Sequence, residues 1–253
     1  MQEIFASQKC VQAMRVSIAK SAEKAVLDNN IIVFGETDMK INFLGDSITY
    51  GAGASKPEQN YVNQVGAMLH AEFRNYGVGG TRFARQSKLS ESAIYDYDFQ
   101  MRMELMATMD GDADFVFVFG GTNDYGHGDA EIGEKSDDNP YTFYGALNNV
   151  ISFLIKKYGK EKICFLLPMP RYRQESPFGD KKQKPGLPLG EYVQIIKERL
   201  TFYGIEWIDL FEGFMPVPQT NLGDEYTVDG LHPNDLGHQM IAERICDYLK
   251  SKM

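Results

Sequence analysis

Apolar residues gather in five short runs along the 253-residue chain: Ile41 to Leu44, Phe73 to Tyr76, Phe115 to Phe119, Ile163 to Leu167, and Ile205 to Ile208. The third and fourth, FVFVF and ICFLL, are nearly unbroken. A strand covered on both faces carries such a run because neither side meets solvent. A parallel sheet sandwiched by helices is therefore predicted. Between the runs, apolar residues recur at three- and four-residue steps. Tyr61, Val65, Met68 and Leu69 share one helical face, and so do Leu147, Val150, Ile151, Leu154 and Ile155. A further helix is expected from Tyr192 to Leu200. The last runs from Pro233 to Leu249, with Leu236, Met240, Ile241, Ile245 and Leu249 as its stripe. Pro233 fits the first helical position, where a missing N–H costs least. Alternating strand and helix predict a doubly wound α/β sandwich with right-handed crossovers. Such a sheet binds ligands outside the carboxyl ends of its strands.

The first forty residues precede these strands. Val11, Met14, Ile18 and Ala25 fit one helical face, and Ile31 to Phe34 forms a short apolar run. A helix packed on the same domain is expected, with a dimerisation arm, hence a homo-oligomer, as the alternative. Composition changes this picture little: 43% hydrophobic and 24% charged residues are ordinary globular values. Charge narrows the partners. With 26 Lys and Arg against 35 Asp and Glu, the net charge is -9, and no basic block stands out. Nucleic acid and anionic membrane surfaces are poor partners for such a chain. No apolar run is long enough to span a bilayer. The start, MQEIFASQKC, lacks the basic and continuous apolar regions of a secretory signal. Cys10, Cys164 and Cys246 are scattered and form no C-x-x-C pair, so neither a disulfide framework nor a zinc site is suggested. A cytoplasmic setting is expected.

Four segments at strand ends or helix starts carry candidate chemistry. Gly45-Asp46-Ser47 follows the first strand. Ser47 is either the cap of the next segment or a nucleophile whose amide also points into an oxyanion site. Asn75-Tyr76-Gly77-Val78-Gly79-Gly80 follows the second, where glycines allow a tight turn or close approach to a ligand. Gly120-Gly121-Thr122-Asn123-Asp124 follows the third, and Asn123 is either a helix cap or a side-chain N–H donor to the same crevice. Asp229-Gly230-Leu231-His232-Pro233 precedes the last helix. There one turn could set the Asp229 carboxylate on the His232 imidazole, fixing its tautomer. Together these supply a nucleophile, a base, its orienter and oxyanion donors, the complement that acyl transfer requires. An α/β-hydrolase elbow needs G-x-S-x-G, and Thr49 stands where its last glycine would be. No P-loop occurs, and a dinucleotide fingerprint is weak.

The blocks GDS, N-x-G-x-x-G, G-T-N-D and D-x-x-H, in this order over residues 45 to 232, resemble those of the SGNH (GDSL-like) hydrolase superfamily. The first block reads GDSIT rather than GDSL. The resemblance implies a flavodoxin-like three-layer α/β/α sandwich with a central parallel sheet of about five strands. Residues 1–40 would form an N-terminal helical extension and 41–253 the catalytic domain. It implies a Ser-His-Asp esterase with Ser47 as nucleophile, His232 as base and Asp229 as orienter. The Ser47 and Gly80 amides and the Asn123 side chain would form the oxyanion hole. Neither metal nor cofactor is called for.

The substrate expected is a small-molecule or carbohydrate ester with a short acyl group, acetyl foremost. A lysophospholipase or thioesterase of the same superfamily, or a non-catalytic binding module on its scaffold, are the alternatives. Asp46, Tyr50, Tyr125, His127, Arg171 and Arg173 are candidate substrate contacts. Tyr50, Tyr125 and Phe83 could stack on a sugar, and Arg171 and Arg173 could reach the rim. His127 could line the cleft; with Asp124 and Asp129 it imitates a metal site, but a solvated loop is favoured there.

Overall fold

The computed structural model describes residues 39–88, 97–99, 101–102, 109–180, 182 and 184–252. The expected N-terminal helix and its dimerisation alternative lie outside the described residues.

All five apolar runs form strands: β1 Lys40–Gly45, β2 Glu72–Gly77, β3 Phe115–Phe119, β4 Ile163–Leu166 and β5 Glu206–Ile208. Every pairing is parallel, in the order β2-β1-β3-β4-β5. Six helices matter to the site: α1 Ser47–Tyr50, α2 Tyr61–Leu69, α3 Thr122–His127, α4 Phe143–Tyr158, α5 Leu189–Tyr203 and α6 Asp235–Lys250. Strand side chains alternate between two cores. Ile41, Phe43, Phe117 and Phe119 pack with α2 and α6, while Leu44, Val116, Val118 and Phe165 pack with α4 and α5. The result is the three-layer α/β/α sandwich. Among the described residues, no helix is long and apolar enough to cross a membrane.

Helix α6 departs from expectation at both its start and its stripe. Asn234, not Pro233, bounds it: the Asn234 side chain accepts from the Gly237 amide at 3.1 Å, and helix begins at Asp235. Pro233 instead pairs with Thr227 in an antiparallel bridge. Leu236 is exposed, and the inward position goes to His238. The His238 ring stacks on Tyr61, accepts from the Tyr61 amide through Nδ1 (3.3 Å) and donates from Nε2 to Ala52 O (3.2 Å). These bonds satisfy a buried polar ring and tie α6 to the loop behind Ser47.

Burial pushes the His238 pKa down to about 4, from 6.5. An unfolded His238 takes a proton below about 6.5, but the folded one resists until about pH 4. Its contribution to stability is therefore whole above pH 6.5 and is lost as pH falls towards 4. His238→Gln should be less stable than wild type at pH 7, and the gap in urea midpoint should narrow steadily between pH 6.5 and 4. Buried Asp46 and Asp124, whose pKa values burial raises to about 6, drive the opposite trend in both proteins and cancel in that difference.

Candidate active site

Ser47 is the first residue of α1 and follows β1 by one residue. Asp46, not Ser47, caps the helix, accepting from the Ile48 amide at 3.0 Å. The Ser47 hydroxyl is thereby left for other work, and its amide, at a helix N-terminus, has no intrahelical acceptor. The packing around α1 is close. A Cβ on Gly45 would lie 2.0 Å from Thr49 Oγ1, and one on Gly77 would lie 2.2 Å from the Tyr50 amide nitrogen. Asn75 secures the far end of α1, donating to Thr49 O at 2.7 Å, and Asn60 donates to Thr49 O and Tyr50 O at 3.1 Å each.

The Asp229–His232 turn sits across from it. Ser47 Oγ lies 3.0 Å from His232 Nε2, and His232 Nδ1 lies 2.7 Å from Asp229 Oδ2. Asp229 Oδ1 also accepts from the Leu231 and His232 amides, at 3.0 and 2.7 Å. Burial pushes the Asp229 carboxyl upward, but hydrogen bonds from the His232 side chain and from these amides outweigh it and hold the pKa at about 2. The turn is anchored. Gly230 takes a positive φ of 76°, and its carbonyl accepts from the Tyr172 amide at 2.7 Å. Ser55 clamps Asp235 through its amide (2.8 Å) and hydroxyl (2.6 Å). These ties, with His238, hold together two segments 185 residues apart in sequence.

The third wall comes from β3. Asn123 is the second residue of α3, whose cap is Gly121, so Asn123 is not the helix cap. Its Nδ2 donates to Thr81 O at 3.0 Å and to Asp46 Oδ2 at 3.2 Å, while its Oδ1 faces His127 Nε2 at 3.1 Å. Asp124 is buried and accepts from the Phe83 and Ala84 amides, both at 2.9 Å. That clamp fixes the segment after Gly80, which itself has a positive φ of 73°. Arg102, which the motif reading did not single out, donates to Gly45 O and Thr81 Oγ1 at 3.1 Å each and also to Tyr76 O, joining three loops from beneath.

The candidate substrate contacts divide. Tyr50, 71% exposed beside Ser47, presents its ring to solvent. Tyr125 is 1% exposed and its hydroxyl donates to Arg173 O and Ser176 O (3.1 Å), so its ring is unavailable for stacking; Phe83 is likewise in the core. Arg171 is buried, not at a rim: it pairs with Asp180, stacks over Tyr125 and donates to Thr122 Oγ1 at 3.2 Å. Arg173 is exposed, on a loop that abuts the His232 turn. Asp46 is wholly buried and spent on Ile48 and Asn123. His127 is partly buried and contacts Arg82 and Asn123. Among the described residues, no cluster of His, Cys, Asp and Glu is placed to hold a metal ion.

The sequence profile of the GDSL-like lipase/acylhydrolase family matches residues 43–240. The chain belongs to this family. It is an ester-hydrolysing enzyme. No curated protein matches it. Among solved structures, a Lactobacillus plantarum protein is similar over 86% of this chain and 99% of its own, at 27% identity and a TM-score of 0.68. A carbohydrate acetylesterase from Sinorhizobium meliloti shares the fold over 85% of this chain and all of its own, at 16% identity and a TM-score of 0.61. An aryl esterase from M. smegmatis does so over the same shares, at 15% identity and a TM-score of 0.60.

The tight seat of α1 has a measurable consequence. Gly77→Ala drives a methyl into the Tyr50 amide and must displace the helix that carries Ser47. Ester turnover should fall at least about tenfold, since small misplacements of reacting groups carry costs of that order or more. Steady-state kinetics beside a thermal melt checks this, and wild-type turnover in Gly77→Ala would show that the seat is not rigid.

Proposed function

We propose that the protein is a serine esterase that removes a short acyl group, acetyl foremost, from a hydroxyl-rich alcohol such as a carbohydrate. The observation that carries the reading is the unbroken contact from Ser47 Oγ through the His232 ring to Asp229. It lies at the carboxyl ends of β1 and β3, where a sheet of this order binds ligands.

In this reading Ser47 Oγ attacks the acyl carbon while His232 Nε2 takes its proton. Asp229, ionised at any working pH, holds Nδ1–H and stabilises the imidazolium. The oxyanion meets the Ser47 and Gly80 amides and the Asn123 amide. Both Asn123 N–H groups already have acceptors, Thr81 O and Asp46, so the incoming oxygen takes the place of one of them. One such donor is worth about 3–4 kcal/mol of barrier. His232 then protonates the leaving alcohol. It next takes a proton from water, whose oxygen attacks the acyl-enzyme, and Ser47 recovers its proton as the acid departs.

The exposed Tyr50 ring beside Ser47 supports a ring-shaped alcohol, because a tyrosine face packs against apolar surface while its hydroxyl stays wet. The neighbour named a carbohydrate acetylesterase makes acetylated sugars the first substrates to try.

Ser47→Ala should lower p-nitrophenyl acetate turnover by at least about a thousandfold with an unchanged melt. Turnover at the wild-type rate in that variant would overturn the mechanism. Across p-nitrophenyl esters from acetate to octanoate, kcat/KM should fall with chain length, and a steep rise would overturn the short-acyl assignment alone.

A further inference from the structure

Asn123 can donate to an oxyanion only if its amide nitrogen, and not its oxygen, faces Ser47. A carboxamide is nearly symmetrical in shape, so its orientation must be imposed by neighbours. Thr81 O and the Asp46 carboxylate impose part of it, both being acceptors set against Nδ2. The other part comes from His127, whose Nε2 lies 3.1 Å from Asn123 Oδ1. A histidine is itself ambiguous, because either ring nitrogen can carry the proton. Arg82 removes the ambiguity. Its guanidinium nitrogen lies 3.0 Å from His127 Nδ1, and a guanidinium can only donate. Nδ1 must therefore accept, and the single ring proton sits on Nε2, where it is donated to Asn123 Oδ1.

We infer that His127 is a positioning residue: through the relay from Arg82 to His127 to Asn123 it fixes the Asn123 amide in its donating orientation. The inference rests on the reading of Asn123 as an oxyanion donor and deepens it. Every bond in the relay has a forced direction. Arg82, on the segment after the glycine block, is buried, and its backbone is pinned by Tyr97 O (3.1 Å) and the Phe99 amide (2.7 Å). The relay thus references the β3 loop to the β2 loop, so that Gly80 and Asn123 keep a set relation. The neutral ring is also the stable one. Burial first, then the positive charges of Arg82, Arg171 and Lys182 against the pull of Asp180, hold the His127 pKa down to about 4.

Three side chains separate this role from simple packing. Glutamine at 127 offers an acceptor to Arg82 and a donor to Asn123, as the neutral histidine does. Glutamate has nearly the same shape and pairs better with Arg82, but it turns an acceptor towards Asn123 Oδ1. Wild type, His127→Gln and His127→Glu should be assayed on p-nitrophenyl acetate beside Ser47→Ala. His127→Gln should keep kcat within about fivefold of wild type. His127→Glu should lose at least about tenfold in kcat with KM little changed, since removing such a donor outright typically costs 10²–10³. Equal kcat in the two variants would overturn the inference. Wild-type protein carrying ¹⁵N-histidine supplies a readout that needs no variant to fold. At pH 7 His127 should show the Nε2–H tautomer, and an Nδ1–H tautomer or a charged ring would overturn the relay. If Ser47→Ala kept full turnover, the esterase mechanism would fail instead, whatever the His127 tautomer.

Discussion

The candidate site depends on the placement of β1 between β2 and β3 in a wholly parallel sheet. The chain leaving β1 passes to the face packed by α2 and α6, whereas the chain leaving β3 passes to the face packed by α4 and α5. Two loops that part in opposite directions from neighbouring strands leave a crevice between them without any side chain being removed. Register then decides what lines it. Gly45 is opposite Phe119 on β3 and Gly77 on β2, so the segments carrying Ser47, Asn123 and Gly80 emerge at one level. The histidine turn is the one part that no strand delivers. It is brought in by α6, through the Ser55–Asp235 and His238–Ala52 contacts.

Around this crevice lie buried polar side chains: Asp46, Thr81, Arg82, Arg102, Asn123, Asp124 and Arg171. Each would cost several kcal/mol of stability if left without a partner in a low-dielectric interior. The folded chain aims several of them at loop backbone and the two arginines Arg82 and Arg171 at His127 and Asp180. Asp124 holds two amides, Arg102 reaches two carbonyls and a hydroxyl, and Asp46 caps α1. Such groups add little net stability, but their directed bonds leave the loops a single arrangement. Loops held in this way have less to reorganise when charge develops beside them.

The fold was largely legible because burial on both faces of a parallel strand writes itself as a run of apolar residues. All five runs became strands, and the four helical stripes after β1 found their helices. Errors fell where a local rule met a stronger neighbour. Pro233 suits a first helical position, yet the Asn234 side chain captured the cap. His238 is polar and falls outside the apolar stripe of α6, yet two directed bonds and the Tyr61 ring make the inward position its own. Aromatic and charged residues near the motifs were hardest to place. Tyr125 and Phe83 stand next to the blocks in sequence and Arg171 follows β4, but all three turn into the core, whereas Tyr50 turns outward.

What the amino-acid order alone determined is local and periodic: the strands, the helices, the glycines at tight approaches, and the three-residue step from Asp229 to His232. These follow from backbone geometry and nearest-neighbour chemistry, which act over a few residues. Only the tertiary structure decided the rest. It set Ser47 against a histidine 185 positions away, and it turned His127 from a loop residue into a partner of Arg82 and Asn123. It also sent Arg171 inward to brace α3. Which way a long or polar side chain points depends on partners contributed by distant segments, and no local pattern carries that information.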